Sequence, residues 1–412
     1  MPNGPWKKWR SIFSPGFSPA YMLEQVPKIV DKAEVFCQLL REKAGQDTMF
    51  QLEEATFRLT IDIIGLISLD SSFHYQTSDS EFPATLRSLI EWATFGDEIN
   101  PLKRWNPYRP FITWYYGRRL DAFIHAELEK RFAERRQFLQ PEKQKDRKVR
   151  SIVSLALDSY MAEHPSAESA SLDPTFRTYA TAQLRLFLVA GHDTTSSAMT
   201  YTFHLLHTHP AFLARVRAEH DQVFGPDPTA AAARLRRDPA LLNQLPLTLA
   251  AIKEALRLFP PAGGIRMGAP GIELTSDVDG TRFPTAGCSV WVVHEAVHRN
   301  PALWPRPDEF LPDRWLVEPG HELHPGCKGA WRPFEIGPRN CIGQTLALTE
   351  IKTVLAVALR SFDLAPAYGE WDALHPGKGV KLAMGERAYQ VSGGGGGQHP
   401  AERYPCRVSV RG

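Results

Sequence analysis

Phe334-Glu335-Ile336-Gly337-Pro338-Arg339-Asn340-Cys341-Ile342-Gly343 decides the reading of this chain. It satisfies F-x-x-G-x-R-x-C-x-G at every fixed position. With near-average residue usage, such a match arises by chance roughly once in ten thousand chains of this length. The residue types share one chemistry. A reactive thiolate must sit in a dry place and stay ionised. Cys341 stands at the mouth of a helix predicted from about Ile342 to Leu359, where N-terminal amides and the helix dipole favour negative charge. Gly337 and Gly343 permit a tight turn and close approach of the backbone to a ligand. Phe334 can shield the sulfur, and Arg339 can donate a charge-assisted hydrogen bond to a carboxylate. A lone cysteine reads better as a small buried core residue, but the surrounding pattern outweighs that reading here.

Outward from this stretch, the 412 residues are ample for a large buried core. Hydrophobic residues make up 43% and charged residues 23%, an ordinary globular balance. A net charge of +2 gives no strong field, so nucleic acid is not an expected partner. The five cysteines are scattered with no C-x-x-C pair, which argues against a zinc site or a disulfide framework and for a reducing compartment. The N-terminus has no apolar signal-peptide core, and no run of 18 or more apolar residues occurs.

Hydrophobic periodicity predicts a mainly α fold with small β-sheets. Helices are expected over 20–44, 50–70, 117–139, 174–207 and 246–259, the last stopped by Pro260-Pro261. Short strands are expected over Ile272–Leu274 and Ser289–Val293. Residues 140–174 read as one irregular loop region, 301–340 as ordered coil, and Gly393–Gly397 as a flexible turn. No repeat or linker divides the chain, so residues 1–412 read as a single domain. The aromatics Trp105, Tyr108, Phe111, Trp114, Tyr115 and Tyr116 are expected to serve mostly in core packing, with a membrane interface as the alternative.

Five further motifs surround the cysteine stretch. Ala190-Gly191-His192-Asp193-Thr194-Thr195 places a Gly and two Thr in mid-helix, against propensity, and such local conflict marks functional sites. The threonine hydroxyls can bond back to a helix carbonyl, and Gly191 gives room for close approach. Its plain alternative is a helix bend with polar residues facing water. His192 lacks a second His at i+4, so it reads as structural or substrate-lining and not as a metal ligand. Glu254-Ala-Leu-Arg257 puts both charges on one helix face, although E-x-x-R alone is a common surface pair. Phe310-Leu-Pro-Asp-Arg314-Trp follows it, and Pro261-Ala262-Gly263-Gly264-Ile265-Arg266 lies between. Trp6 and Arg10 sit four apart on one helix face near the start.

Taken together, these motifs resemble the cytochrome P450 family over nearly the whole chain. The tail, through Arg387-Ala-Tyr-Gln390 and His399-Pro to Tyr404-Pro-Cys406-Arg, resembles eukaryotic, fungal-type members. The resemblance implies a haem-thiolate monooxygenase with haem b (iron protoporphyrin IX), and Cys341 as the sulfur ligand of the iron. A thiolate ligand favours O–O cleavage. Trp6, Arg10, Arg266 and Arg339 would meet the haem propionates, with Phe334, Gly337 and Gly343 completing the loop. Asp193 would help deliver protons, and Thr194 would hydrogen-bond the dioxygen being activated. Glu254, Arg257 and Arg314 would form a buried ionic trio that fixes the coil. Ala190, His192, Ala262, Gly263, Gly264 and Ile265 would line the substrate.

The same resemblance implies O2 as co-substrate, a small apolar organic substrate and a setting in secondary metabolism. Electrons would come from NADPH through a separate NADPH–cytochrome P450 reductase, since the chain has no Gly-rich dinucleotide fingerprint. That reductase would dock near Lys7 and Lys8. The protein is expected to be a monomer, with a membrane surface as a contact, on the cytosolic face of the endoplasmic reticulum. Fungal-type members begin with an anchor, helices and two strands ahead of the W-x-x-x-R helix, where this chain starts. An N-terminally incomplete fold is therefore expected, with strands around Ile265 and Val290 lacking sheet partners. Two other readings remain: a haem-binding or haem-free pseudoenzyme, and a haem-thiolate isomerase, dehydratase or peroxygenase.

Overall fold

Two long helices in this chain start at side-chain caps followed by proline. Asp173 accepts the Phe176 N–H at 2.8 Å with Pro174 next in line, and Ser18 caps the Tyr21 N–H ahead of Pro19 in the same way. These starts belong to a computed structural model, which describes residues 3–92, 105–138, 151–163, 172–325, 327, 329–376, 381–392 and 397–411.

The helices that position the site are α1 (Asn3–Phe13), α2 (Pro19–Gln46), α3 (Leu52–Leu69), α4 (Glu81–Trp92), α5 (Arg109–Phe138), α6 (Ile152–Glu163) and α7 (Pro174–Thr208). After them come α8 (Pro210–Phe224), α9 (Ala230–Arg237), α10 (Pro246–Leu258), α11 (His294–His298), α12 (Gln344–Ala358) and α13 (Tyr368–Leu374). The expected helices are present. α7 is the axis of the fold, buried on every side from Thr195 to Leu206. Its hydroxyls are satisfied inside the protein. Thr56 of α3 meets Ser196 Oγ at 2.9 Å and Thr200 Oγ1 at 3.1 Å, and Thr60 donates to the His192 carbonyl at 3.0 Å. A run of Ser and Thr that reads as unfavourable in a helix thus becomes the seam between two buried helices. Around it the buried apolar side chains join in one cluster that includes Leu59 and Ile63 of α3, Leu184 and Leu188 of α7, and Ile351 and Leu355 of α12.

The sheets are small and antiparallel. β1 (Phe50–Gln51), β9 (Pro405–Val410) and β6 (Phe362–Pro366) form one, with β9 in the middle. β2 (Gly264–Met267) pairs with β5 (Ser289–Val292) in the register Ile265↔Trp291. β3 (Glu273–Thr275) pairs with β4 (Arg282–Pro284), and β7 (Gln390–Ser392) with β8 (Gln398–Pro400).

Three expectations need correction. The strands around Ile265 and Val290 do not lack partners, because they pair with each other; Met267 and Trp291 on that ribbon remain exposed. Residues 140–174 are not one loop. Ile152–Glu163 is a helix, because Ile152, Val153, Ala156, Leu157 and Tyr160 fall at helical spacing and bury against the rest of the core. Residues 139–150 and 164–171 lie outside the described residues, as does most of the glycine run, 393–396. The aromatics of 105–116 are not core: Trp105 is 75% and Phe111 65% exposed. The reason lies in α5 itself, which buries the stripe Leu120, Ile124, Leu128 and Phe132 farther along and runs its first turns past the core.

Candidate functional site

The cysteine loop is built by its own backbone. The Cys341 N–H donates to the Phe334 carbonyl at 2.8 Å, which closes the loop, and the Asn340 N–H bonds the Gly337 carbonyl at 3.0 Å. Gly337 has φ +91°, so only glycine sits there without strain. Gly343 has an ordinary φ of −84° and caps α12; the turn geometry assigned to it from sequence is not what selects glycine there. The Cys341 thiol is accessible, yet surrounding protein desolvates it. Burial pushes its pKa up, and the N–H groups of Gly343 and Gln344 and the Arg10 guanidinium pull against that rise.

α1 brings its two motif residues to this loop. Arg10 donates to the Asn340 carbonyl and to Asn340 Oδ1, each at 3.0 Å. The Arg339 guanidinium lies over the Trp6 ring, 4.4 Å from its centroid. Phe334 turns its ring toward Trp331, 5.9 Å away. Arg266 is more loosely held, with one bond to the Ile265 carbonyl at 2.8 Å and Glu335 at 3.8 Å.

Glu335 is a hub that sequence reasoning missed. It receives Arg332 at 2.8 Å and His294 Nε2 at 2.9 Å, and the other ring nitrogen of His294 meets the Ala262 carbonyl at 2.7 Å. Although burial raises its pKa, the bonds from Arg332 and His294 hold Glu335 down to about 2. Gly264 is small for the same reason: a Cβ there would lie 1.7 Å from Glu335 Oε1. The stretch Ala262–Ile265 is thereby tied to the cysteine loop. No sequence signal marks Glu335, which occupies a variable position of the motif.

The structure brings Glu254, Arg257 and Arg314 together. Glu254 takes Arg257 at 2.8 and 3.0 Å, Arg314 Nε at 3.0 Å and the Trp315 indole at 3.0 Å. Both arginines spend their remaining donors on carbonyls of the coil, including His298 at 2.9 Å and Pro305 at 3.1 Å. All three charges are buried.

On α7, Thr194 Oγ1 donates to the Ala190 carbonyl at 2.9 Å, and the helix runs through the motif uninterrupted. Ala190 is exposed and Thr194 half-buried, on the same face as Leu186, which is 55% exposed. Gly191 turns out to face α3, where a Cβ would meet Ile64 at 3.0 Å; helix packing, not ligand access, asks for glycine there. His192 is not substrate-lining. It is fully buried, holds the Leu188 carbonyl at 2.5 Å and packs edge-on to Phe57. Burial lowers its pKa. Asp193 points to His399, another residue that sequence reasoning left unassigned.

A sequence profile of the family described as "Cytochrome P450" matches residues 2–392. The chain belongs to the cytochrome P450 family. This P450 is 41% identical to cytochrome P450 monooxygenase polC of Polytolypa hystricis, over 100% of this chain and 72% of that protein. It is 35% identical to cytochrome P450 monooxygenase acrF of Aspergillus aculeatus, over 94% of this chain and 79% of that one. Among solved structures, the crystal structure of a cytochrome P450, CYP102L1, superposes with a TM-score of 0.73 at 24% identity, covering 100% of this chain and 83% of the other. The crystal structure of the cytochrome P450DA heme domain gives 0.71 at 23% identity, over 97% and 76%. This P450 is a monooxygenase of fungal type by its relatives, the family's cofactor is a haem, and O2-dependent oxygen insertion is the family's general chemistry.

Proposed function

We propose that this P450 binds haem b through Cys341 and inserts one atom of O2 into a small apolar organic substrate. Electrons come from NADPH through a separate NADPH–cytochrome P450 reductase. The observation that carries the reading is the setting of Cys341. An accessible thiol at a helix start receives two backbone N–H groups, with Arg10, Arg339 and Trp6 gathered on the same loop. That donor set fits a flat macrocycle bearing two carboxylates: the sulfur suits its iron, and the cations suit its acids. When bound, the haem supplies the one-electron and O2 chemistry, and the protein supplies orientation and protons.

In this reading Arg10, Arg266, Arg339 and Trp6 hold the propionates. Phe334, Gly337 and Gly343 shape the loop below the ring. Thr194 offers a hydroxyl on the exposed face of α7, beside Ala190, and Asp193 manages protons behind it. Ala262, Gly263, Gly264 and Ile265 meet the substrate. The whole chain acts as one haem-thiolate domain and as a monomer. The polC and acrF names support a setting in fungal secondary metabolism. Among the described residues no helix is long and apolar enough to cross a membrane. The exposed aromatics Trp105, Tyr108, Phe111 and Trp114 suit contact with a membrane surface, as on the cytosolic face of the endoplasmic reticulum.

The test is a reduced carbon monoxide difference spectrum after haem loading. The wild-type chain is expected to give the thiolate-type Soret band. Cys341→Ser is expected to lose that band while keeping its far-UV circular dichroism. An unchanged band in Cys341→Ser would refute the ligand assignment, and a wild-type chain that takes up no haem would refute the reading as a whole.

A further inference from the structure

Asp193 is held away from the neighbour it is expected to serve. Its Oδ1 lies 3.4 Å from His399 Nε2, while Thr194 bonds back to Ala190. The other ring nitrogen of His399 lies 2.8 Å from Glu53 Oε1. Glu53 and Asp193 are buried, and the His399 side chain is 15% exposed. An imidazole facing a carboxylate oxygen at both nitrogens donates to both only as imidazolium. Burial disfavours that charge, but the two carboxylates more than compensate and push His399 up to about 10. Burial alone would raise Asp193; His399 outweighs it, and the carboxyl sits below its ordinary range. Glu53 goes the other way, because burial raises it more than His399 lowers it.

Three elements meet here. Glu53 comes from the first turn of α3, Asp193 from α7, and His399 from β8. Backbone bonds fix β8 in place: Ser197 Oγ donates to the Gln398 carbonyl at 2.6 Å, and the Gln398 N–H donates to Pro261 at 2.8 Å. Gly397 comes so close that a Cβ there would lie 2.2 Å from Asp193 Oδ2 and 3.0 Å from His399 Nε2. The last glycine of the run therefore answers to contact with Asp193, not to flexibility. A cleft of about 390 Å³ reaches the cluster, lined by Glu53, Glu54, Asp193, His399 and Arg403 among others. Glu402, Arg87 and Glu91 also line it. Arg403 draws both Glu53 and Asp193 down, and buried His192 faces Asp193 from within α7.

We propose that His399, clamped by Glu53, is a positioning residue for the monooxygenase reaction, holding the Asp193 carboxylate ionised and turned to the cleft so that Asp193 takes its protons from cleft water. This rests on the proposed monooxygenase reading. A proton from hydronium in the cleft bonds the carboxylate, and the neutral acid no longer attracts the imidazolium. Asp193 is then free to give that proton on the Thr194 side, where two-electron reduction of O2 consumes it. Once ionised again, it returns to His399. The family pairing of an acid with a threonine thus gains a reset made from the C-terminal hairpin.

The experiment uses the haem-loaded full chain with 15N-labelled histidine. NMR titration is expected to place the His399 ring near 10, identified by the resonances missing from His399→Gln. Glu53→Gln should lower that midpoint. With added reductase and NADPH, the pH profile of hydrogen peroxide release per NADPH should move to higher pH in His399→Gln, since Asp193 has lost its cation. His399→Lys should restore it. A His399 midpoint near the ordinary 6.5, or an unmoved profile in His399→Gln, overturns the inference while the carbon monoxide band stands. Absence of that band overturns the function and this inference with it.

Discussion

Glu254 is a carboxylate with no access to water, and everything that neutralises it arrives from one other stretch of chain or from one turn along its own helix. Remove its charge and Arg257 and Arg314 are left buried and unmatched. Glu254→Gln is therefore expected to cost about 3–5 kcal/mol, seen as a large drop in the urea midpoint, whereas a surface E-x-x-R pair would move it little. A midpoint within error of wild type would refute that account. Thr194 is the opposite case. Its hydroxyl bonds only its own helix on a half-open face, so Thr194→Ala should keep the fold and the haem band yet send a larger share of NADPH electrons to hydrogen peroxide. An unchanged product yield per NADPH would show that the hydroxyl does nothing for oxygen. The trio was legible in sequence because its members sit in motifs with fixed spacing. The pairs His294–Glu335 and His399–Glu53 were not, since they join residues 41 and 346 positions apart with no local pattern to announce them.

Elements were legible where one face is apolar and the ends are marked. α2, α3, α7 and α10 carry both signals, and α12 announces itself through the glycine that precedes it. α6 was lost because its polar surroundings hid a short run of buried residues, and the start of α5 misled because aromatic content says nothing about which face finds a partner. Glycines inside helices carry a further message that only packing reveals. A Cβ on Gly65 of α3 would lie 2.2 Å from the Phe73 ring. Gly65→Ala improves helix propensity by roughly 1 kcal/mol. It also forces the buried Phe73 aside, an overpacking cost of about 1–3 kcal/mol. The expected net result is a lower thermal midpoint, rescued by Phe73→Leu, which removes the struck atoms. A stabilised Gly65→Ala would mean that propensity, not the contact, decides.

At the scale of the whole molecule, one charge cluster joins the C-terminal hairpin to α3 and α7 and another joins the cysteine loop to α11, and they respond to pH in opposite directions. His399 is pushed from 6.5 up to about 10 on folding. Its contribution is complete below 6.5 and fades as pH rises toward 10. Glu335 is held from 4.5 down to about 2, so its contribution is complete above 4.5 and fades as pH falls toward 2. Urea midpoints should accordingly be highest between these two windows and decline on both sides. The alkaline decline should flatten in His399→Gln and the acid decline in Glu335→Gln, each variant leaving the other limb as it was. The limbs separate because the two clusters share no residue: His399 answers to Glu53 and Asp193, Glu335 to Arg332 and His294. If His399→Gln left the alkaline limb as steep as wild type, the imidazolium would not be what fastens the hairpin to α7, and the coupling between that hairpin and Asp193 would lose its physical basis.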